Sequence, residues 1–213
     1  MDRRRRNLMA LGFYGLLAAS AVLWNWAAGR PMHALLYDPD RLTRAGLVWG
    51  LLSGLLLGAA TVAFSRWTIE RFGWGRDLYR FFARALGEVS WADAALLALT
   101  SSIGEELFFR GIMLPRWGIV WSTLLFMLSH PAPAKRLWPW TASAGVMGLL
   151  FALITQRSAN LGGALVAHFV VNLFNLRHVS EFVDPADDLY EPPPDDDGEG
   201  SDGAADDDGD GLA

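Results

Sequence analysis

Three groups of polar residues sit inside apolar runs, each group at four-residue spacing: Glu105-Glu106 with Arg110, Phe126 with His130, and His168 with Asn172. A carboxylate can take a proton from water, an imidazole can hold or pass one, and an amide N–H can stabilise an oxyanion. An ionisable side chain inside a membrane span is costly unless it has a partner or a polar cavity. One such residue would be an accident of packing. Two carboxylates, two imidazoles and an amide over three separate runs read as an assembled site.

Helical spacing decides which of these groups can meet. Glu106 and Arg110 share a face and can neutralise each other, whereas Glu105 projects roughly 100° away. Phe126 and His130 share a face of the next helix, and His168 and Asn172 share a face of the last. Depth is an independent check. Counted from the non-cytoplasmic helix ends at about 1.5 Å per residue, Glu105 and His130 lie roughly 17 and 21 Å down, and His168 and Asn172 roughly 12 and 18 Å. All four fall in one layer near the middle of a hydrocarbon core about 30 Å thick.

The elements that must position them are apolar and long. About 20 apolar residues suffice to cross a bilayer as a helix. Residues 7–28 and 45–65 qualify without a single charge, and 94–114 qualifies despite Glu105, Glu106 and Arg110. Residues 117–129 and 141–155 are short for spans, and 158–176 is adequate. The expected fold is all-α: a polytopic transmembrane helical bundle of about six spans, with an amphipathic surface helix and a disordered acidic C-terminal tail. The N-terminal run is longer than the roughly 7–15 residues of a signal-peptide core, so it is expected to remain as an anchor. With no cysteine among 213 residues, disulfides, thiolate metal sites and cysteine nucleophiles are excluded.

Charge is partitioned along the chain. Of 23 acidic residues, 14 lie from Glu181 onward, while all 18 basic residues lie before it; the body therefore carries +9 and the tail −14. With Arg3 to Arg6 placed in the cytoplasm, the cytoplasmic segments hold 12 basic residues against 5 opposite, which predicts both termini inside, in the plasma membrane. Leu78, Phe81, Phe82, Ala85, Leu86 and Val89 recur at helical spacing, with Arg76, Arg80, Arg84 and Glu88 on another face. That segment reads as a helix lying on the cytoplasmic membrane surface with its arginines toward anionic headgroups, the alternative being a loop helix packed against the bundle. The Pro-, Asp- and Gly-rich stretch after Val183 cannot bury enough apolar surface to order itself. The chain thus divides into residues 1–90 with two spans and the amphipathic helix, a core at 91–180, and a tail at 181–213.

Glu105-Glu106-x-x-x-Arg110, Phe126-x-x-x-His130 and His168-x-x-x-Asn172, in this order on separate helices, resemble the three motifs of the CPBP family, the type II CAAX prenyl endopeptidases and their bacteriocin-processing relatives. The resemblance runs from about Trp91 to Arg177. It implies an intramembrane endopeptidase acting on a membrane-associated peptide or protein within the lipid bilayer, with no nucleic-acid partner. It further implies Glu105 as the base that activates water, His130 as a holder of that water, His168 and Asn172 as oxyanion donors, and Glu106 with Arg110 as structural or orienting residues.

A cofactor is left open. Glu105, His130 and His168 offer three ligands of the kind a catalytic zinc uses, and the same residues serve a metal-free route equally well. Other functions also use such residues. Glu and His chains carry protons in transporters, and a scaffold or immunity protein could keep the fold without catalysis. Residue by residue, simpler roles exist: Asn172 as interhelical glue, Glu106–Arg110 as a structural ion pair, Phe126 as packing, His33 and His178 as solvated. Gly145 and Gly148 read as close-packing positions, and Gly54-x-x-x-Gly58 as a weak dimerisation signal.

Overall fold

The computed structural model describes residues 2–132 and 134–182. The acidic tail expected from Val183 onward lies outside the described residues. The described chain is helical, and residues up to Phe182 belong to one compact unit. The helices are α1 (Arg3–Ala27), α2 (Arg44–Arg71), α3 (Gly73–Leu86), α4 (Trp91–Glu105), a π-helical segment (Glu106–Met113), α5 (Leu114–Leu128), α6 (Trp138–Ser158) and α7 (Gly162–Glu181). Among the described residues the only β pairing is the isolated bridge between Tyr37 and Asn160.

Four stretches are long and apolar enough to cross a membrane: Arg3–Ala27, Arg44–Arg71, Trp91–Leu128 and Lys135–Ser158. Many of their large apolar side chains face outward. Leu16, Leu56 and Trp26 are 68, 70 and 72% exposed, which suits a hydrocarbon solvent and not water. The third stretch covers 38 residues, about 57 Å as a straight helix, almost twice the hydrocarbon thickness. It does not run straight. Gly118 interrupts it at φ 76° and ψ 178°, a left-handed backbone that glycine adopts without steric cost. Beyond that point the chain returns along itself. Arg110 Cζ lies 4.1 Å from the Phe126 ring centroid, where a continuous helix would hold the two residues roughly 24 Å apart.

Three expectations about element boundaries need correction. The run 94–114 is not one α-helix, since from Glu106 the backbone widens into π geometry, with Leu114 N–H donating to Phe109 O. Ser122 Oγ donates a second bond to that carbonyl at 2.8 Å. Ser158 ends α6 instead of beginning the last helix; the chain turns at Ala159 (φ 56°), and Asn160 Oδ1 then accepts from Gly162 N. The amphipathic helix stops at Leu86, before a positive-φ Gly87, so Glu88 and Val89 are outside it.

The amphipathic helix also lies against protein. Tyr79 packs with Ile69 and Val179, flanked by Phe82, Leu86 and Phe182, which places the apolar face of α3 on the ends of α2 and α7. Arg76 donates to Ile69 O at 3.1 Å and Arg80 pairs with Asp77 at 3.1 Å, so most of the arginine row is tied to neighbouring groups. Packing of its apolar face against α2 and α7 is observed.

The Gly54–Gly58 pair serves contact within the chain. A Cβ on Gly54 would overlap the Gly163 carbonyl, and one on Gly58 would lie 2.9 Å from Val170 Cβ. Small residues let α2 and α7 approach backbone to backbone, the usual device where lipid supplies no hydrophobic drive between helices. This contact fixes α7, which carries His168 and Asn172.

Candidate active site

Each functional side chain is delivered by a different local device. Glu105 is the last residue of α4, whose first turn is secured by a capping box between Ser90 and Asp93. Asp93 in turn pairs with Arg3 at 2.8 Å and with Arg6 at 3.4 Å, tying α4 to α1. Gly104 lets α1 come close enough that a Cβ there would sit 2.7 Å from Tyr14 O. Glu106 and Arg110 stand on the π segment. His130 follows α5, beyond its cap at Ser129, and so is not within the helical span as expected. His168 and Asn172 lie one turn apart on α7.

The reversal at Gly118 brings the first two groups together. Glu105 is 13 residues before Gly118 and His130 is 12 after it, so equal lengths of chain return them to one level. His130 Nε2 lies 3.7 Å from Glu105 Oε2. His168 Nε2 approaches the same oxygen at 3.8 Å. Both separations are too long for direct hydrogen bonds, and Glu105 Oε2 is buried without a hydrogen-bond partner.

The outer nitrogens of both imidazoles are committed. His168 Nδ1 lies 2.8 Å from Glu106 Oε1. His130 Nδ1 lies 2.8 Å from Phe126 O. A carbonyl oxygen and an ionised carboxylate only accept, so these partners assign the proton to Nδ1 in both rings. Each ring then turns its Nε2 toward Glu105.

Glu106 is wholly buried and holds the centre together. Its Oε1 also accepts from Arg110 Nη1 at 3.0 Å. Arg110, 1% exposed, donates through Nη2 to Gly148 O at 3.0 Å. Its guanidinium lies over Phe126 at 4.1 Å and over Phe151 at 5.2 Å. Phe151 stacks on the His168 ring at 5.3 Å, and Phe126 lies 4.6 Å from the ring of His130. The pairing therefore reaches past a local ion pair: Glu106 links Arg110 to the histidine of another helix.

Two placements refine the expectations. Asn172 is near the group but donates to Ser101 Oγ at 2.9 Å and has no contact with Glu105. Ser101 is one turn before Glu105, so the amide still lies on the side of α4 that faces the site. His33 and His178 are half-buried and rest against the rings of Tyr37 and Tyr79 at 5.3 and 5.5 Å. Gly148 is the residue that sequence reasoning undervalued. A Cβ there would stand 3.0 Å from the Phe126 ring and 3.4 Å from Arg110 Nη2. Its separation from Arg110 in sequence gave no sign of this.

Glu105, His130 and His168 match zinc in donor type. Around tetrahedral zinc with bonds near 2.0–2.1 Å, donors stand about 3.3–3.4 Å apart. The separations here are several tenths of an ångström wider, and among the described residues no group of three such side chains closes to metal-holding geometry. No step below is routed through a metal.

No curated protein and no solved structure matches the chain. Residues 87–174 match the family described as type II CAAX prenyl endopeptidase, Rce1-like, a stretch that contains every site residue named above. This segment is therefore similar to the type II CAAX prenyl endopeptidase family, and it sits in a chain with four helices long and apolar enough to cross a membrane.

Proposed function

We propose that this protein is a polytopic intramembrane endopeptidase that cleaves a peptide bond of a membrane-associated protein or peptide at Glu105, His130 and His168. The observation that carries the reading is the buried, unpartnered Oε2 of Glu105, faced by two imidazole nitrogens at 3.7 and 3.8 Å. A carboxylate so placed is free to act as a base, because no neighbour already occupies its lone pairs.

In this mechanism Glu105 takes a proton from a water held between it and His130 Nε2. The resulting hydroxide attacks the scissile carbonyl carbon. Glu106 fixes the orientation and tautomer of His168, as a buried carboxylate orients the histidine of a hydrolytic triad. In the reactive form His168 carries a second proton at Nε2, taken from solvent before the cycle and retained through it, and with the second amide N–H of Asn172 it serves the oxyanion. The proton gained by Glu105 passes to the leaving amine as the C–N bond breaks, so charge and protons balance. Arg110 pairs with Glu106 and does not touch the substrate.

The test is cleavage of a membrane-anchored peptide in proteoliposomes by the wild type and by Glu105→Ala, His130→Ala and His168→Ala. Each variant is expected to lose activity by about 10²–10⁴-fold, the usual contribution of acid–base groups. Activity that survives all three changes removes the proposal. Proton flux lost in Glu105→Ala without any peptide cleavage would favour a relay. Treatment with 1,10-phenanthroline separates the chemical routes: the route drawn above predicts unchanged rates. A loss reversed by added zinc would assign the three residues to a metal instead.

A further inference from the structure

His130 stands where the helix ladder no longer holds it. α5 ends at Leu128, Ser129 is its cap, and the His130 backbone keeps one local bond, from its N–H to Met127 O at 3.1 Å. Its side chain is 20% exposed, against 9% for Glu105 and 7% for His168, so it is the most open of the three. Its ring is held locally at Nδ1, by Phe126 O at 2.8 Å and Ser129 Oγ at 3.1 Å, which leaves the backbone and the outer ring edge to be fixed by other elements.

The first turn of α6 meets that need at two points. Thr141 Oγ1 donates to His130 O at 2.7 Å. The neighbouring Trp140 ring stands edge-on to the imidazole at 5.7 Å, and Phe126 lies 4.6 Å from the same ring. Trp140 is supported from behind by Phe82 of α3 at 5.2 Å. An ion pair between Asp77 and Arg136, at 3.5 Å, joins α3 to the segment that leads into α6. Phe82 and Asp77 precede the segment matched to the protease family.

We propose that Trp140 and Thr141 are positioning residues that clamp His130 over Glu105, and that α3 braces the clamp through Phe82. The inference rests on the peptidase reading, since it assigns these residues to the reaction through His130. Thr141 fixes the backbone of His130 and Trp140 limits the swing of its ring. A ring free to move by about 1 Å can lose up to 100-fold in rate without losing substrate affinity.

The experiment compares Thr141→Val, Thr141→Ser, Trp140→Ala, Trp140→Phe and Phe82→Ala in the proteoliposome cleavage assay, with thermal unfolding followed on the same samples. Thr141→Val keeps the side-chain volume and removes the hydroxyl. It is expected to lower kcat ten- to a hundredfold with KM within about twofold, while Thr141→Ser stays near wild type. Trp140→Ala should fall comparably and Trp140→Phe recover most of the loss, with Phe82→Ala lying between. Should Trp140→Ala fail to fold, the Thr141 pair decides alone. Wild-type kcat in Thr141→Val, or an equal loss in Thr141→Ser, overturns the clamp and leaves the peptidase reading intact. A wild-type protein that cleaves nothing overturns both.

Discussion

Glu105 and Glu106 are adjacent, chemically identical and both buried, yet the fold treats them in opposite ways. Glu106 is fully enclosed, with Oε1 shared between Arg110 and His168 at 3.0 and 2.8 Å. Glu105 is 6% exposed and has an oxygen with no hydrogen-bond partner. A buried carboxylate pays a large desolvation cost, which a partner offsets. The chain offsets part of that cost at Glu106, through Oε1 alone because its Oε2 is also buried without a partner, and leaves more of it unmet at Glu105. What separates them is one step of the backbone at the junction of α4 and the π segment, which sends one side chain into the packed centre and the other toward the histidines. Under the proposed mechanism, stability rests more on Glu106 and chemistry on Glu105.

That contrast can be broken most violently at Glu106. Glu106→Ala strands Arg110 among Phe109, Phe126 and Phe151, and removal of one partner from a buried pair costs about 3–5 kcal/mol. Thermal unfolding in detergent should show a large drop, with activity lost alongside. Gly148→Ala comes next. The added methyl presses on Phe126 and on Arg110 Nη2, and overpacking of this kind costs about 1–3 kcal/mol. Its melting temperature should fall, and kcat with it, because the same guanidinium supports Glu106.

Asn172→Ala sharpens the contrast from the chemical side. Loss of one oxyanion donor is expected to lower kcat by roughly 10²-fold with little change in unfolding. A drop in stability without a drop in kcat would make Asn172 interhelical glue through Ser101. The smallest effect is expected away from the site. Burial pushes the Tyr79 hydroxyl up to about 12 from 10.0. A group whose pKa is higher in the folded state supports stability below its unfolded value and withdraws that support as pH rises. Tyr79→Phe should therefore lessen the loss of stability between about pH 10 and 12, while leaving the neutral range nearly unchanged.

Much of the site was legible because polar residues inside apolar runs are costly and therefore informative. Spacing placed Glu106 with Arg110, and depth placed Glu105, His130 and His168 at one level, as the 3.7 and 3.8 Å separations now show. Side-chain partners from other helices were not legible. Nothing in the pattern of α7 indicates that His168 Nδ1 meets Glu106, since such pairing depends on the approach of α7 to α4. The π segment was hidden for a related reason. Its sequence, Glu106 to Met113, has ordinary helical periodicity, and the wider turn appears only once Ser122 Oγ, from the returning strand of the hairpin, supplies a bond to Phe109 O. The glycines misled in the same way: Gly54 and Gly58 signalled close approach correctly, but the partner is α7 of the same chain.

The most direct measurement sets Glu105→Gln beside Glu106→Gln, with peptide cleavage and thermal unfolding recorded on the same reconstituted samples. Glu105→Gln should lose at least about 10²-fold in kcat while unfolding at or above the wild-type temperature, because it removes a buried charge that lacks a full partner. Glu106→Gln should be less stable as well as less active. Cleavage at the wild-type rate by Glu105→Gln, or equal destabilisation by the two changes, would contradict the division of labour between these neighbouring carboxylates.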